Sequence, residues 1–175
     1  KRPPRTVVAR KQGEWAKMKL TTKKDIDAPI ARVWAAIADH EAWERSAMRR
    51  GVDVIRTDSL RNAGPGMGWT AAFAYRGKPR KVDVKLTEMV EPGHLGFEMA
   101  SKAIDVATRV ELIEMSANRT RLHVTTDVKP RSLGARLFLQ SLRLARAKVD
   151  RKYDVRIGQL AVDLEHRARE ARTRG

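Results

Sequence analysis

From Val52 to Val128 the chain is a succession of short segments in which apolar and polar side chains alternate. "WTAAFAYRG" sets Trp69, Ala71, Phe73 and Tyr75 on one side, and "KVDVKLTEMV" sets Val82, Val84 and Leu86 there. "HLGFEMA" contributes Leu95, Phe97 and Met99, and "IDVATRVELIEM" contributes Val106, Thr108, Val110 and Leu112. "RLHVTTDV" adds Leu122, Val124, Thr126 and Val128. Successive side chains of a strand point to opposite faces, so period two builds a sheet with one buried and one wet face. The separators "YRGKP", "EPGH" and "SANRT" have hairpin length. With "VDVIRTDS" and the earlier "MKLTTKKDI" the pattern predicts seven antiparallel strands. One apolar face that wide needs a cover, and the chain must supply it outside the alternating region.

Two stretches have helical spacing. In "DIDAPIARVWAAIADHEAWERS" (Asp25–Ser46), Val33, Trp34 and Ile37 recur as on a helix over Pro29–Ala38. Asp27 is placed to cap it, and Pro29 is tolerated in the first turn. Asp39 is placed to cap a second helix, Glu41–Arg50, with Trp43 and Met48 on its apolar side and Gly51 as its stop. After Pro130, Ser132 is placed to cap a single final helix from Leu133 to about Arg169. Leu133, Leu137, Leu144, Ala145, Val149, Tyr153, Ile157, Leu160 and Leu164 form its stripe, and Leu139 and Leu142 widen the first half.

This order, with the D-A-P-x-x-x-V-W elbow after the first strand and "GMGWTAAF" opening a later one, resembles the SRPBCC superfamily over Met18–Arg169. That group comprises START-like, Bet v 1-like and polyketide-cyclase-like proteins. The resemblance implies an α+β helix-grip fold: a curved seven-stranded antiparallel sheet with two short helices, wrapped around a long C-terminal helix. It also implies an apolar cavity between sheet and helix. The elbow then plugs one end of the sheet, with Trp34 and Trp43 as core fillers. Three regions follow: a basic arm at 1–17, the domain at 18–169 and a basic tail at 170–175. The regular pattern begins at Met18, a candidate natural start.

No catalytic set is visible. His40, His94, His123 and His166 lie on different elements and none pairs with another at metal-ligand spacing, so no metal or other cofactor is expected. His123 alternates onto the wet face. "GPGMG" (64–68) lacks the Lys–Ser/Thr that completes a phosphate loop and reads instead as a flexible hairpin or mouth loop; the resemblance implies a loop that gates the cavity, with Gly66 and Gly68 letting it move. The expected cavity set is Trp69, Phe73, Tyr75, Val84, Phe97, Met99, Thr108, Val110, Val124 and Thr126 from the sheet. Leu137 and Leu144 join it from the final helix. Its polar members are Thr108, Thr126 and Tyr75, which suits binding of a hydrophobic small molecule or lipid by area, oriented by one or two hydroxyls. The alternative is a cyclase, dehydratase or hydrolase working in the same cavity with those few groups.

Charge adds a further alternative. The net charge is +16, of which residues 1–24 carry +8, residues 131–175 carry +7 and the central 25–130 only +1. Such ends attract anionic membrane or nucleic acid, weakly and in a salt-dependent way, through Arg2, Arg5, Arg10, Lys11, Arg167, Arg169 and Arg172. With almost no aromatic residues among them, base stacking is unsupported. The absence of cysteine fits a reducing, cytoplasmic setting. The basic start has no apolar run after it to make a secretory signal, and no apolar stretch is long enough to span a bilayer.

Overall fold

The computed structural model describes residues 17–173, with side chains through Glu170. Its strands are β1 (Met18–Ile26), β2 (Asp53–Arg56), β3 (Gly68–Tyr75), β4 (Lys78–Val90), β5 (His94–Ala100), β6 (Ile104–Ser116) and β7 (Arg119–Pro130). They form one antiparallel sheet in the order β1-β7-β6-β5-β4-β3-β2. The first strand thus pairs with the last, which carries the elbow after β1 to the C-terminal side of the sheet. Register matches the alternation. Leu20, Thr126, Thr108, Phe97 and Leu86 form one inner row across five strands. Register shifts at Leu86/Glu88 and Glu114/Ser116 mark bulges, which bend strands and help the sheet curve.

Among the described residues, four helices cover the inner face: α1 (Ile30–Ile37), α2 (His40–Arg49), α3 (Leu133–Leu144) and α4 (Arg146–Thr173). The architecture is the expected α+β helix-grip fold. Asp39 caps α2 by accepting from the Ala42 N–H at 2.9 Å, and Ser132 caps α3 through the Ala135 N–H at 3.1 Å. At the end of α2 the Val52 N–H bonds the Ala47 carbonyl and the Gly51 N–H bonds that of Met48. Gly51 sits at φ +81°, the left-handed turn such an ending requires.

Two expectations are corrected. Asp27 does not cap α1: the N-cap residue is Pro29, and the Asp27 N–H instead donates to Glu165 on α4 at 3.0 Å. The final helix is not single either. Ala145 (φ −106°, ψ 29°) interrupts it, and α4 then continues to Thr173, into the region set apart as a tail. On either side of the break Arg143 donates to the Lys17 carbonyl and Arg146 to that of Lys19. The break lies where the helix is tied to β1, and no glycine or proline marks it.

The main core joins Val33, Trp34 and Ile37 of α1 to Leu112, Leu122, Leu164 and Ala168. Met18, Leu20 and Leu139 make a second, smaller cluster under α3. Thr120 is fully buried, and its hydroxyl donates to the Ala28 carbonyl at 2.8 Å, which fixes the elbow to β7. On the outer face Arg121 pairs with Asp25, Arg109 with Glu88, and His123 with Glu111. Exposed pairs of this kind contribute little each.

Candidate ligand cavity

Between the sheet and its helical cover lies a cavity of about 470 Å³. The sheet supplies Val54, Trp69, Ala71, Val84, Phe97, Thr108, Val110, Val124 and Thr126. The elbow supplies Ile37, His40, Trp43, Glu44 and Ala47, and α4 supplies Ile157 and Leu160. The walls are aliphatic and aromatic except at two places.

One is a hydroxyl chain. Thr108 and Thr126 oxygens lie 3.1 Å apart, and Thr126 is 2.9 Å from the Tyr153 hydroxyl. Burial raises the Tyr153 phenol above its usual range, with the Thr126 hydrogen bond opposing, so it stays neutral. The chain can give or take one hydrogen bond at the cavity wall without carrying charge.

The other lies on α2. His40 is 7% exposed, and its Nε2 is buried without a hydrogen-bond partner. Its ring centroid is 5.6 Å from that of Trp69, whose indole N–H donates to Glu44 at 2.5 Å. Burial, and then Arg56, push the His40 pKa down against Asp39 and Glu44, so the imidazole is neutral at pH 7. A buried imidazole nitrogen with no partner is a costly feature unless a ligand uses it.

Seven of the expected cavity residues stand in these walls: Trp69, Val84, Phe97, Thr108, Val110, Val124 and Thr126. Met99 shares the inner row of Val84 but lies outside the walls. Phe73 and Tyr75 sit farther out on the β3–β4 hairpin, opposite Arg80 and Lys78, and Tyr75 is 52% exposed. Leu137 and Leu144 are on the exposed side of α3. Alternation assigns a residue to a face; it does not say how far along the sheet the helices reach. Tyr75 brings no phenol to these walls; the phenol bonded to a wall residue is that of Tyr153, on Thr126. The sequence reading missed His40, Glu44 and Ala47, although with Trp43 they fall at i, i+4, i+7 and i+3 on one side of α2. Trp43 is a half-buried cavity wall as well as a filler, with its indole N–H on the Ile37 carbonyl at 2.9 Å.

Several hydrogen bonds hold the loop before β3. Asp58 accepts from Arg56 at 2.6 and 3.0 Å, from the Leu60 N–H at 2.9 Å and from the Gly68 N–H at 2.8 Å. These bonds hold its carboxyl far below the usual carboxylate range. The Gly66 N–H bonds the Leu86 carbonyl and Met67 is buried. A larger pocket of about 710 Å³ also borders this loop, but Asp58, Asp83, Lys85, Glu98, Asp105, Asp127 and Lys129 line it, so it is chemically unlike the apolar cavity.

Of the expected docking residues, Arg2, Arg5, Arg10 and Lys11 lie outside the described residues, as does the side chain of Arg172. Arg169 pairs with Glu165. Arg167 lies folded over Trp43, its guanidinium carbon 4.0 Å from the ring centroid. Among the described residues no group of His, Cys, Asp and Glu converges to hold a metal. No helix among them is long and apolar enough to cross a membrane.

A curved sheet gripping a C-terminal helix over an apolar cavity defines a helix-grip protein of the SRPBCC superfamily. Residues 17–165 match the family described as polyketide cyclase / dehydrase and lipid transport, and the chain belongs to that family. Solved structures agree on the fold. The ZhuI aromatase/cyclase from Streptomyces sp. R1128 superposes with TM-score 0.62 at 15% identity, over 91% of this chain and 98% of that one. A START superfamily protein from Mycobacterium smegmatis gives 0.60 at 13% identity, over 87% and 98%. A norcoclaurine synthase point mutant from Thalictrum flavum, in complex with a transition-state analogue, gives 0.66 at 9% identity, over 92% and 99%. No curated protein sequence matches the chain.

Proposed function

We propose that this protein binds a hydrophobic small molecule or lipid in the cavity between the sheet and α4. The observation that carries this reading is the cavity of about 470 Å³, walled by aliphatic and aromatic side chains with only a few polar groups among them. Such a site binds by buried area and orients its ligand through a few hydrogen bonds. The test is fluorescence titration with the neutral apolar probe N-phenylnaphthylamine, alongside native mass spectrometry for a retained ligand. Ala71→Trp puts an indole into the cavity. Probe affinity should fall at least about tenfold, the equivalent of losing only roughly 55 Å² of apolar contact at about 25 cal/mol/Å². Equal affinity in wild type and variant would place the probe elsewhere and remove the proposal.

One observation favours a second reading, catalysis of the cyclase or dehydrase type. The unpartnered, neutral His40 is a candidate general base beside an apolar site. Turnover that survives His40→Phe would discard it.

A further inference from the structure

The exposed side of α3 is unusual for a protein surface. Leu133, Leu137, Phe138 and Leu144 are 73, 59, 59 and 93% exposed, while Ala135 and Leu139 on the opposite side are buried. At 100° per residue, Leu133, Leu144 and Leu137 fall within about 40° of one another, and Phe138 extends that sector. Arg136 and Arg143 stand together at one border, between the exposed apolar sector and the buried one. Helix α3 is therefore apolar on two sides, and only one of them meets the core.

The charge around this face is predominantly positive, although Arg131 pairs with Asp105 and Arg146 with Asp150. Between Asp127 and Asp150 the chain has six basic residues, Lys129, Arg131, Arg136, Arg143, Arg146 and Lys148, and no acid. Arg143 uses its guanidinium on a backbone carbonyl, so that bond neutralises none of its charge. A short helix with an exposed leucine and phenylalanine face, bordered by arginine, has the chemistry of an interfacial membrane helix. A second copy of this chain would set Arg136 and Arg143 of each α3 near those of the other. Nucleic acid would meet the arginines but leave the leucines and phenylalanine without a partner.

We propose that α3 docks this protein on an anionic lipid surface, with Leu133, Leu137, Phe138 and Leu144 entering the interface and the flanking arginines meeting lipid phosphates. The surface differs from the terminal charges named from sequence, because it combines apolar area with charge. It also stands independently of the cavity reading.

The experiment is flotation of the full chain with vesicles of phosphatidylcholine alone or mixed with phosphatidylglycerol, at low and high salt. Wild type should float with the anionic vesicles and not with the neutral ones. Leu137→Asp/Phe138→Asp should weaken binding at least about tenfold, with thermal stability and N-phenylnaphthylamine affinity unchanged, because both side chains face solvent. Arg136→Gln should weaken it roughly fivefold, the contribution of one basic residue near such a surface. Three results overturn the proposal. The double variant floats like wild type, which assigns binding to other basic residues; wild type binds neutral and anionic vesicles equally; or sedimentation shows a dimer that the double variant dissolves while no vesicle binding occurs. Unchanged probe affinity beside lost flotation separates failure of docking from failure of the cavity.

Discussion

Replacing His40 by phenylalanine should stabilise the protein. His40 is 7% exposed and its Nε2 has no partner, which places an unsatisfied polar atom against Trp69 and the cavity wall. Leaving such an atom unpaired costs about 1–3 kcal/mol, and an apolar ring of similar shape removes that cost. Phenylalanine is slightly larger, but the residue borders open cavity space, so overpacking is small. The expected gain is about 1–2 kcal/mol at pH 7.5. For a domain of this size that raises Tm by about 2–8 °C. The gain should grow in acid. The folded pKa of His40 is pushed down, chiefly by burial. Below the unfolded value of about 6.5, the unfolded chain takes up a proton that the folded one refuses. Wild type therefore loses stability as pH falls from about 6.5 toward the folded pKa, and the variant does not. Urea denaturation followed by circular dichroism at pH 7.5 and 5.5 measures both effects. A variant less stable than wild type at pH 7.5, or a difference that is the same at both pH values, would refute the argument.

Two further outcomes concern the loop before β3. A Cβ at Gly68 would lie 2.6 Å from the Thr57 hydroxyl oxygen, so Gly68→Ala should cost about 1–3 kcal/mol; adding Thr57→Ala should recover about half of that in a denaturation cycle, and strictly additive losses would show that crowding is not the cause. Asp58→Asn should flatten the acid end of the stability curve: the depressed Asp58 carboxyl contributes stability present above the unfolded pKa of about 3.9 and lost as pH falls through its folded value. Parallel wild-type and variant curves from pH 5 to 2 would contradict that assignment.

How much of this was legible in advance differs by level. Alternation placed Phe97, Thr108 and Thr126 on the inner face, and the register confirms that row. It could not separate Thr108, in the cavity wall, from Tyr75, beyond the helices on the same face, because burial along a strand depends on what crosses it. The caps Asp39 and Ser132 were readable because each acts on an N–H three residues away. Asp27 does not cap because α1 begins at Ile30 with Pro29 as its N-cap, which leaves the Asp27 side chain two residues short of the capping position.

The sequence by itself determined the seven strands, the inner face, the elbow and the basic ends, since all of these follow from periodicity and composition within a few residues. Tertiary structure alone decided the rest. It joined His40 and Glu44 of α2 to Trp69 of β3, and Tyr153 of α4 to Thr126 of β7. It also broke the last helix at Ala145 and left Leu137 and Leu144 in solvent. Periodicity records which side of a helix is apolar. Only packing decides which of two apolar sides meets the core.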